Sequence, residues 1–392
     1  MIKEGLTLKK SAMYQYPAKI TDEFIDGAIE LAAKRLLANP DKLAMFTPPE
    51  TINGKYEERP NDEWTSGLNT GVLWLMWELT GDKRFFDAAE SQIASYYERF
   101  ETKKGLMGHD VGFVYSPAVV AHYKLTGDPR SRELAIAAAE YLATNYCDSV
   151  GFVKRSRANY RGGYRTLVDT MLNIPLLFWA AKETGNKELY DKAVRHYQTT
   201  AKYLVREDGS TNHHFQFEPG TDEPVGGVTL QGYNDDSCWA RGHSWLILGY
   251  PIAYGYTKDE NIKPVYRAVT YYMLDRLPSD YMPYWDLVFE EGSTQPRDSS
   301  ALAVTVCGML EMDKYLDESD PDKKLFKNAA NRLMQALIQK GANLDPDKDG
   351  LLAHVTHALP QGRGIDEGAI YGDYFYLEAL LRYKNPDWNM YW

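Results

Sequence analysis

Two kinds of helical segment alternate along this chain, and that alternation limits its fold more than any other feature. One kind is apolar on every side, as in 71–79, 173–181, 245–256 and 301–312. A helix that is apolar all round is buried all round. The other kind is charged with one apolar stripe at helical spacing, as in 187–205, which indicates a helix that covers a core with one face. The chain is therefore expected to form an inner layer of helices enclosed by an outer layer.

A recurring turn joins each apolar segment to the charged segment after it. The sequence LTGD at 79–82 returns at 125–128, with weaker echoes at 183–186, 256–259 and 317–320. Glycine readily takes the left-handed conformation that ends a helix, and aspartate or asparagine is a favoured cap for the next one. The repeat therefore predicts a series of helical hairpins.

The pattern predicts about six hairpins, with boundaries uncertain by about 2–4 residues. The outer helices are expected near 22–38, 83–100, 130–145, 187–205, 260–277 and 322–339. The inner helices are expected near 65–79, 115–125, 168–183, 240–256, 299–315 and 366–383. This predicts an all-α fold, a closed (α/α)6 barrel formed by residues 1–392 as one domain. An open solenoid is the alternative, but its terminal repeats would need polar outer faces, whereas both terminal inner segments are aromatic and apolar.

The loops are unequal in length, and this places a candidate site. Inner-to-outer turns have about 3–6 residues and outer-to-inner loops about 14–34, and loops of the longer kind are usually functional in compact domains. All the long loops should emerge at one end of the barrel. A site is therefore expected at that mouth, around the N-termini of the inner helices.

Composition excludes several classes of protein. Lys plus Arg is 44 and Asp plus Glu is 55, so the net charge is −11, and a chain of this charge is a poor non-specific ligand for nucleic acid. No apolar stretch is long enough to cross a membrane. Cys147, Cys238 and Cys307 are odd in number and form no CxxC motif, so neither a disulfide framework nor a cysteine zinc site is indicated.

The first twenty residues carry no secretory signal. A cytoplasmic location is the expectation, or a periplasmic one if a signal peptide has been removed. Nothing in the sequence predicts the oligomeric state.

Polar and charged residues gather where the long loops meet the inner helices. His109 and Asp110 precede the second inner helix, Asp169 opens the third, the segment 231–245 leads into the fourth and Asp298 opens the fifth. Together they supply a pair of carboxylates, tryptophans, an arginine, a histidine and a glutamine. That is the composition of a glycan-binding site, with acids for catalysis, aromatic faces for stacking and polar groups for hydroxyls.

Each of these residues also has a purely structural interpretation. An aspartate at a helix start is more often a cap, which is the alternative for Asp169 and for Asp298. For Arg241 the structural alternative is an ion pair with Asp235 or Asp236. For the dipeptide at 297–298 it is a structural pair that ties the fifth inner helix to its neighbour. Because an apolar helix with no other charge follows Asp169, burial is expected to raise the pKa of its carboxyl group.

Metal and nucleophile chemistry is poorly supported. His213 and His214 are adjacent and cannot both face one ion from a regular element. No HExxH motif, EF-hand loop, P-loop or GxSxG motif is present. The segment 345–350 resembles the opening of a calcium loop but lacks the closing glutamate, so a solvated turn is expected there. Neither a metal nor a cofactor is predicted.

These motifs together resemble glycoside hydrolase family 88, the unsaturated glucuronyl hydrolases, from about Trp64 to Arg382. The matching segments are Trp64-Thr65, HDVGF at 109–113, VDTMLNIPLL at 168–177, STNHHF at 210–215, QGYNDDSCWARGHSW at 231–245, PYWD at 283–286, RDSSA at 297–301 and YGDYFYLEALLR at 371–382. The family fold is an (α/α)6 barrel, which agrees with the helix count.

The resemblance implies removal of a 4,5-unsaturated uronic acid from the non-reducing end of oligosaccharides that polysaccharide lyases produce. An acid protonates C4, and water that the same group deprotonates adds at C5. The hemiketal then opens and the aglycone is released. The resemblance places the acid/base on Asp169 and a second essential carboxylate on Asp110. It places substrate contacts on the following residues: His109, His213, Gln231, Arg241, Trp245 and Trp64.

Substrate identity is less well defined than the reaction. The chain departs from the family pattern at 68–69, before Asp169 and in the loop 354–363. The basic cluster Lys154, Arg155, Arg157 and Arg161 could meet sulfate groups or could belong to a solvated loop. The alternative functions are those of the unsaturated rhamnogalacturonyl hydrolases, against which the segment 231–242 argues, and a non-enzymatic helical scaffold.

Overall fold

The computed structural model describes residues 2–3, 5–157 and 164–392. Its helices are α1 (Asp22–Leu37), α2 (Ser66–Thr80), α3 (Lys83–Thr102), α4 (Val111–Tyr115), α5 (Ala121–Thr126), α6 (Pro129–Ala143), α7 (Pro175–Thr184), α8 (Lys187–Tyr203), α9 (Ala240–Thr257), α10 (Ile262–Arg276), α11 (Ser299–Asp313), α12 (Lys323–Ala336) and α13 (Ile370–Lys384). A π-helical turn, Ser116–Val120, joins α4 to α5. A 3₁₀ turn, Val168–Leu172, precedes α7.

Six inner helical segments form a closed ring, which confirms the (α/α)6 barrel. They are α2, α4 with α5, α7, α9, α11 and α13, and the ring closes because α13 packs against both α11 and α2. In α9 every residue from Ala240 to Tyr254 is buried, and α13 is buried from Ile370 to Arg382. The amphipathic helices α1, α3, α6, α8, α10 and α12 surround this ring. The all-round apolar segments are therefore the inner wall, as their sequence predicts.

The repeated turns have the predicted geometry. Gly81 ends α2 in the left-handed conformation with φ 68°, and the side chain of Asp82 accepts a hydrogen bond from the backbone N–H of Arg84 to cap α3. The turns at 127–128 and 185–186 repeat this arrangement. Each hairpin therefore reverses direction within a few residues, which leaves the long loops at the opposite end of the barrel.

Glycines let neighbouring inner helices approach to backbone contact. A Cβ atom on Gly308 of α11 would lie 2.3 Å from the carbonyl oxygen of Ile247 in α9, and one on Gly112 of α4 would lie 2.4 Å from Cα of Asn173. Real Cβ atoms do not come so close to other heavy atoms. Such close backbone contacts at glycine set the distance between the inner helical segments that carry the mouth residues.

Two small sheets in the long loops were not predicted. The strands are β1 (Tyr146–Cys147), β2 (Phe152–Val153), β3 (Arg165–Leu167), β4 (His214–Phe217) and β5 (Pro224–Val228). The pair β1–β2 and the three-stranded sheet β3-β4-β5 are both antiparallel. Strands of two to five residues are too short to show a clear alternation of polar and apolar residues, so the sequence pattern does not reveal them.

The sixth inner helix begins at Ile370, four residues later than the predicted 366. The preceding residues are extended because Ala369 forms a β-bridge with Glu50, and Thr51 exchanges hydrogen bonds with Gly368. None of the helices in the described ranges is long and apolar enough to cross a bilayer. The three cysteines are buried and unpaired with one another.

Candidate active site

Strand pairing brings Asp169 and His213 together at the mouth of the barrel. Leu167 of β3 is opposite His214 of β4, and the backbone N–H of Val168 donates to the carbonyl of His213 at 3.1 Å. The next residue, Asp169, lies in the 3₁₀ turn that leads into α7. Its Oδ2 lies 3.8 Å from Nε2 of His213. The unpredicted sheet is therefore what joins these two loops at the site.

His213 is held in one tautomer. The backbone N–H groups of Leu230 and Gln231 lie 3.3 and 3.4 Å from its Nδ1, which makes Nδ1 an acceptor, so the neutral ring carries its proton on Nε2. Burial lowers the pKa of His213 well below its usual value, and nearby arginine charges act in the same direction. A neutral imidazole therefore directs an N–H toward the carboxyl group of Asp169.

His109 and Asp110 form a second polar pair at the N-terminus of α4. Nε2 of His109 lies 3.1 Å from Oδ1 of Asp110. Nδ1 of His109 lies 3.3 Å from the carbonyl oxygen of Arg155, and it must donate there because a carbonyl only accepts. The ring of His109 is thereby held between the carbonyl of Arg155 and the carboxyl group of Asp110, and the charges of both side chains act on the pKa of Asp169.

Asn173 connects the two catalytic candidates and was not singled out from the sequence. It is fully buried, its Oδ1 accepts from the backbone N–H of Phe113 at 2.8 Å, and its Nδ2 donates to the carbonyl of Asp169 at 3.1 Å. It thus ties the helix that follows Asp110 to the turn that carries Asp169. The only sequence signal it offers is its position, as one amide in an otherwise apolar segment two residues before α7 begins.

The environment of Asp169 favours its protonated form. Burial raises the pKa of Asp169 to about 6; the charge of His109 opposes this shift, and that of Asp110 reinforces it. Its Oδ2 has no hydrogen-bond partner among the described residues. A carboxyl group with a pKa near neutrality can both give and take a proton in one catalytic cycle. The raised pKa that the sequence predicts is therefore present.

Arg241 is fully buried and pairs with Asp298, not with Asp235 or Asp236. Its Nη1 donates to Asp298 Oδ2 at 2.6 Å and to the carbonyl of Thr356 at 2.8 Å. Its Nη2 donates to a further backbone carbonyl, that of residue 357. A guanidinium has five N–H groups, and these bonds use three of them. The predicted carboxylate contact would use the remaining two.

The dipeptide at 297–298 ties α11 to its surroundings, but its two side chains do so through separate partners. Arg297 donates from Nη2 to Asp280 at 3.1 Å, whereas Asp298 faces Arg241 and caps α11 through the N–H of Ser300. The two neighbours point to different partners because Tyr284 forms a β-bridge with Arg297. The capping alternative for Asp298 is therefore correct.

Gln231 lies where two long loops meet across the mouth. Its Nε2 donates to the carbonyl of His357 at 3.1 Å. In the other direction, Gln361, from the loop that contains His357, donates to the carbonyl of Leu230. That loop is held by backbone pairing between Ala358 and residue 363. Both side chains therefore bridge the loop before α9 to the loop before α13.

The two predicted tryptophans differ in exposure. Trp64 is half-buried and stacks on Tyr371 with ring centroids 5.7 Å apart. Trp245 is fully enclosed, with Phe113 and Phe375 against its ring at 5.5 and 5.4 Å. Its indole Nε1 is buried and has no partner among the described residues. Trp64 is thus partly accessible, whereas Trp245 is enclosed apart from its unpartnered N–H.

The remaining candidates are resolved as follows. The segment 345–350 is a mostly exposed turn, and Arg35 of α1 donates to three of its carbonyls, those of residues 345, 348 and 350. Within the described ranges, no group of three or more His, Cys, Asp and Glu side chains is arranged to hold a metal ion.

Of the basic cluster, Arg157 donates to the carbonyls of Leu106 and Tyr141, and Arg161 lies outside the described residues.

The fold and this mouth define a helical-barrel enzyme that acts on carbohydrate, and comparison with known proteins specifies it. The family model of Glycosyl Hydrolase Family 88 matches residues 39–381. The unsaturated chondroitin disaccharide hydrolase of Streptococcus pneumoniae is 42% identical over 377 residues, which cover 95% of each chain. The chain belongs to glycosyl hydrolase family 88 and is a glycoside hydrolase.

Solved structures agree with this assignment. The crystal structure of the unsaturated glucuronyl hydrolase from Streptococcus agalactiae superposes with a TM-score of 0.96 at 39% identity, covering 100% of this chain and 99% of that one. A mutant of that enzyme complexed with dGlcA-GalNAc6S superposes with a TM-score of 0.90 at 38% identity and the same coverage. The comparisons therefore extend over the whole barrel, including the loops of the mouth.

Proposed function

We propose that this chain is an unsaturated glucuronyl hydrolase that releases a 4,5-unsaturated uronic acid from the non-reducing end of lyase-generated disaccharides of the chondroitin type. The observation that carries the proposal is Asp169, a largely buried carboxyl group at the mouth with a raised pKa and a buried Oδ2 that has no partner among the described residues. The names of the relatives support the substrate class. The whole chain acts as one catalytic domain.

The proposed reaction begins with protonated Asp169. Its proton goes to C4 of the vinyl ether, and positive charge develops at C5 and the ring oxygen. The resulting carboxylate takes a proton from a water molecule, whose oxygen bonds to C5. Water is thus added across the double bond, with hydrogen at C4 and hydroxyl at C5. The hemiketal opens to a ketone, and the hemiacetal at C1 then releases the aglycone alcohol.

Neighbouring groups have distinct proposed roles. The N–H of His213 and the side chain of His109, which Asp110 orients, stabilise the carboxylate that Asp169 becomes after proton donation. Arg241 binds the uronate carboxylate through its two remaining N–H groups, since guanidinium pairs well with carboxylate. Gln231, Trp245 and Trp64 contact the bound sugar from the surrounding loops.

The alternatives are weaker. The segment 231–242 favours family 88 over the unsaturated rhamnogalacturonyl hydrolases, although the chemistry proposed would be the same. A non-enzymatic scaffold does not agree with membership of a glycoside hydrolase family. It also gives no reason to keep a carboxyl group buried without a hydrogen-bond partner, which costs stability.

The test is turnover of a panel of unsaturated disaccharides, followed by loss of the near-ultraviolet absorbance of the double bond. The wild type should consume chondroitin disaccharides, and Asp169→Asn should lose at least about 10⁴-fold in rate, because one group performs both proton transfers. Asp191→Asn, which removes an exposed carboxylate of α8, is the matched control and should retain activity. A folded Asp169→Asn variant with near-normal turnover would refute the assignment.

A further inference from the structure

An aromatic side chain enters the inner ring of helices from the end opposite the mouth. Trp392 is 1% exposed, and its ring stacks on that of Phe375 in α13, with centroids 5.8 Å apart and planes 7° from parallel. Its indole Nε1 donates to Oε2 of Glu378 at 2.8 Å. Its carbonyl oxygen accepts from the hydroxyl group of Tyr256, near the end of α9, at 3.1 Å. These contacts fix the ring of Trp392 against the inner wall.

The segment 388–392 is fastened to the same ends of other inner helices. Nε1 of Trp388 donates to Oε2 of Glu78, near the end of α2, at 3.0 Å. The ammonium group of Lys124, in α5, donates to a backbone carbonyl of the segment. Together with the bonds of Trp392 to α9 and α13, these contacts join the segment to four inner helices. Trp392 therefore has a defined position relative to the ring.

Trp392 reaches the two predicted sugar-binding tryptophans through shared neighbours. Its ring centroid lies 6.1 Å from that of Phe113, edge to face. The ring of Phe113 in turn lies 5.4 Å from that of Trp64 and 5.5 Å from that of Trp245. Phe375, the stacking partner of Trp392, lies 5.4 Å from Trp245 as well. Both rings that pack against Trp245 therefore also pack against Trp392.

The loss of the Trp392 ring should be felt at the mouth. Protein interiors are close-packed, and the neighbours of a truncated core side chain relax only in part into the cavity it leaves. Phe113 and Phe375 are fully buried, so the space left by Trp392 is where they can move. The backbone N–H of Phe113 is held by Asn173, so the ring moves rather than the chain. The tryptophans beside these rings would then lose their orientation.

We propose that Trp392 is a positioning residue for Trp64 and Trp245, acting through the rings it shares with them and without contacting the substrate. The inference rests on the proposed function and adds to it a residue from the far end of the barrel. Contacts that hold the sugar equally in the ground state and the transition state affect KM and not kcat. Loss of Trp392 should therefore weaken substrate binding, whereas proton transfer by Asp169 should keep its rate and its pH dependence.

The first experiment measures kcat and KM for an unsaturated chondroitin disaccharide. Trp392→Met fills much of the space with a flexible chain and should raise KM about tenfold, the worth of a well-placed aromatic contact, with kcat within about twofold. Trp392→Phe restores a flat ring and should recover most of the loss.

Trp388→Met is the matched control, because it removes an indole and its hydrogen bond from the same segment. Among the described aromatic rings, Trp388 packs on Tyr391 at 5.0 Å and not on Phe113. It should lower the melting temperature and leave KM within about twofold. An unchanged KM in folded Trp392→Met overturns the proposal, and so does an equal rise in Trp388→Met.

The second experiment needs no turnover and separates this inference from the proposed function. The protein is labelled with fluorotryptophan, and the fluorine NMR signals of Trp64 and Trp245 are assigned by replacing each with phenylalanine. Trp392→Met should shift both signals, Trp392→Phe should shift them less, and Trp388→Met should leave them in place. Shifted signals in a protein that turns over no disaccharide would refute the function and keep the positioning role. Turnover with both signals unmoved in the two Trp392 variants would refute the positioning role and keep the function.

Discussion

Asp169 couples the stability of this protein to its proposed chemistry. Its pKa rises from 3.8 to about 6 on folding, chiefly through burial. A group whose pKa is raised in the folded state stabilises the fold below its unfolded pKa and loses that contribution as pH rises through its folded pKa. At neutral pH the protein therefore carries an ionised carboxylate that its surroundings disfavour.

Replacing this carboxylate with a neutral amide should make the protein more stable. Asp169→Asn is expected to raise the free energy of unfolding by up to about 3 kcal/mol above pH 7, since each pKa unit is worth about 1.4 kcal/mol. The difference from wild type should shrink to near zero below pH 4. Urea denaturation of both proteins at the two pH values measures it. A variant that is less stable than wild type at neutral pH would contradict a buried, desolvated carboxylate.

The same group predicts the pH dependence of the reaction. Because the protonated form donates to C4, kcat/KM should fall about tenfold per pH unit above about pH 6. Initial rates across this range, with melting temperatures recorded in each buffer, test the prediction. A flat profile up to pH 8 in folded protein would show that Asp169 is not the proton donor.

At the scale of residues, sequence motifs located the candidates but not all of their contacts. Asp169 and His109 could be singled out because polar side chains beside apolar helices are unusual. The pairing of Arg241 with Asp298 could not, since the two are 57 positions apart and closer acids were available. Asn173 was missed for a similar reason, because one amide in an apolar run has no distinctive pattern.

At the scale of elements, the inner wall depends on helices that touch through glycine. Gly308→Ala should destabilise the protein by about 1–3 kcal/mol or more, because the added methyl group would overlap the carbonyl of Ile247 in α9. Gly27→Ala is the matched control. Gly27 is an exposed residue of α1, and its Cβ would meet nothing within 4 Å, so alanine should stabilise by about 0.5–1 kcal/mol through helix propensity.

The urea unfolding midpoints of the two glycine variants, compared with that of wild type, show whether α9 and α11 are in close contact at Gly308. Opposite signs would agree with close helix contact at Gly308 alone. Equal effects would mean that α9 and α11 have room to separate, and the spacing of the wall would then have another cause.

Helices were predictable here and strands were not, for a physical reason. A buried helix of fifteen residues repeats its pattern over several turns, whereas β3 has three residues and β4 four. Their pairing depends on residues about 50 positions apart, Leu167 and His214. The consequence is functional, because this pairing sets the contact between His213 and Asp169.

At the scale of the whole molecule, closure of the ring and the position of the mouth follow from the sequence. The terminal inner segments are apolar because each has a neighbour, and α13 does pack against α2. Short hairpin turns at one end leave the long loops at the other. The way these loops meet, as when Gln231 reaches the carbonyl of His357, depends on long-range contacts that no local pattern encodes.

The account of the reaction also predicts what this barrel will not cleave. Hydration requires the double bond, so saturated glucuronides with the same aglycone should not be turned over at a useful rate. An ordinary inverting glycosidase would instead place water against the anomeric carbon between two carboxylates. Cleavage of a saturated glucuronide at a rate similar to that of its unsaturated counterpart would favour that mechanism.

The most direct test of hydration is the position of solvent hydrogen in the product. Turnover of an unsaturated chondroitin disaccharide in heavy water, followed by NMR of the released acid during the reaction, shows where deuterium enters. Proton donation by Asp169 predicts one deuterium at C4 in each product molecule. Normal turnover with C4 unlabelled would contradict addition of water across the double bond and, with it, the proposed role of Asp169.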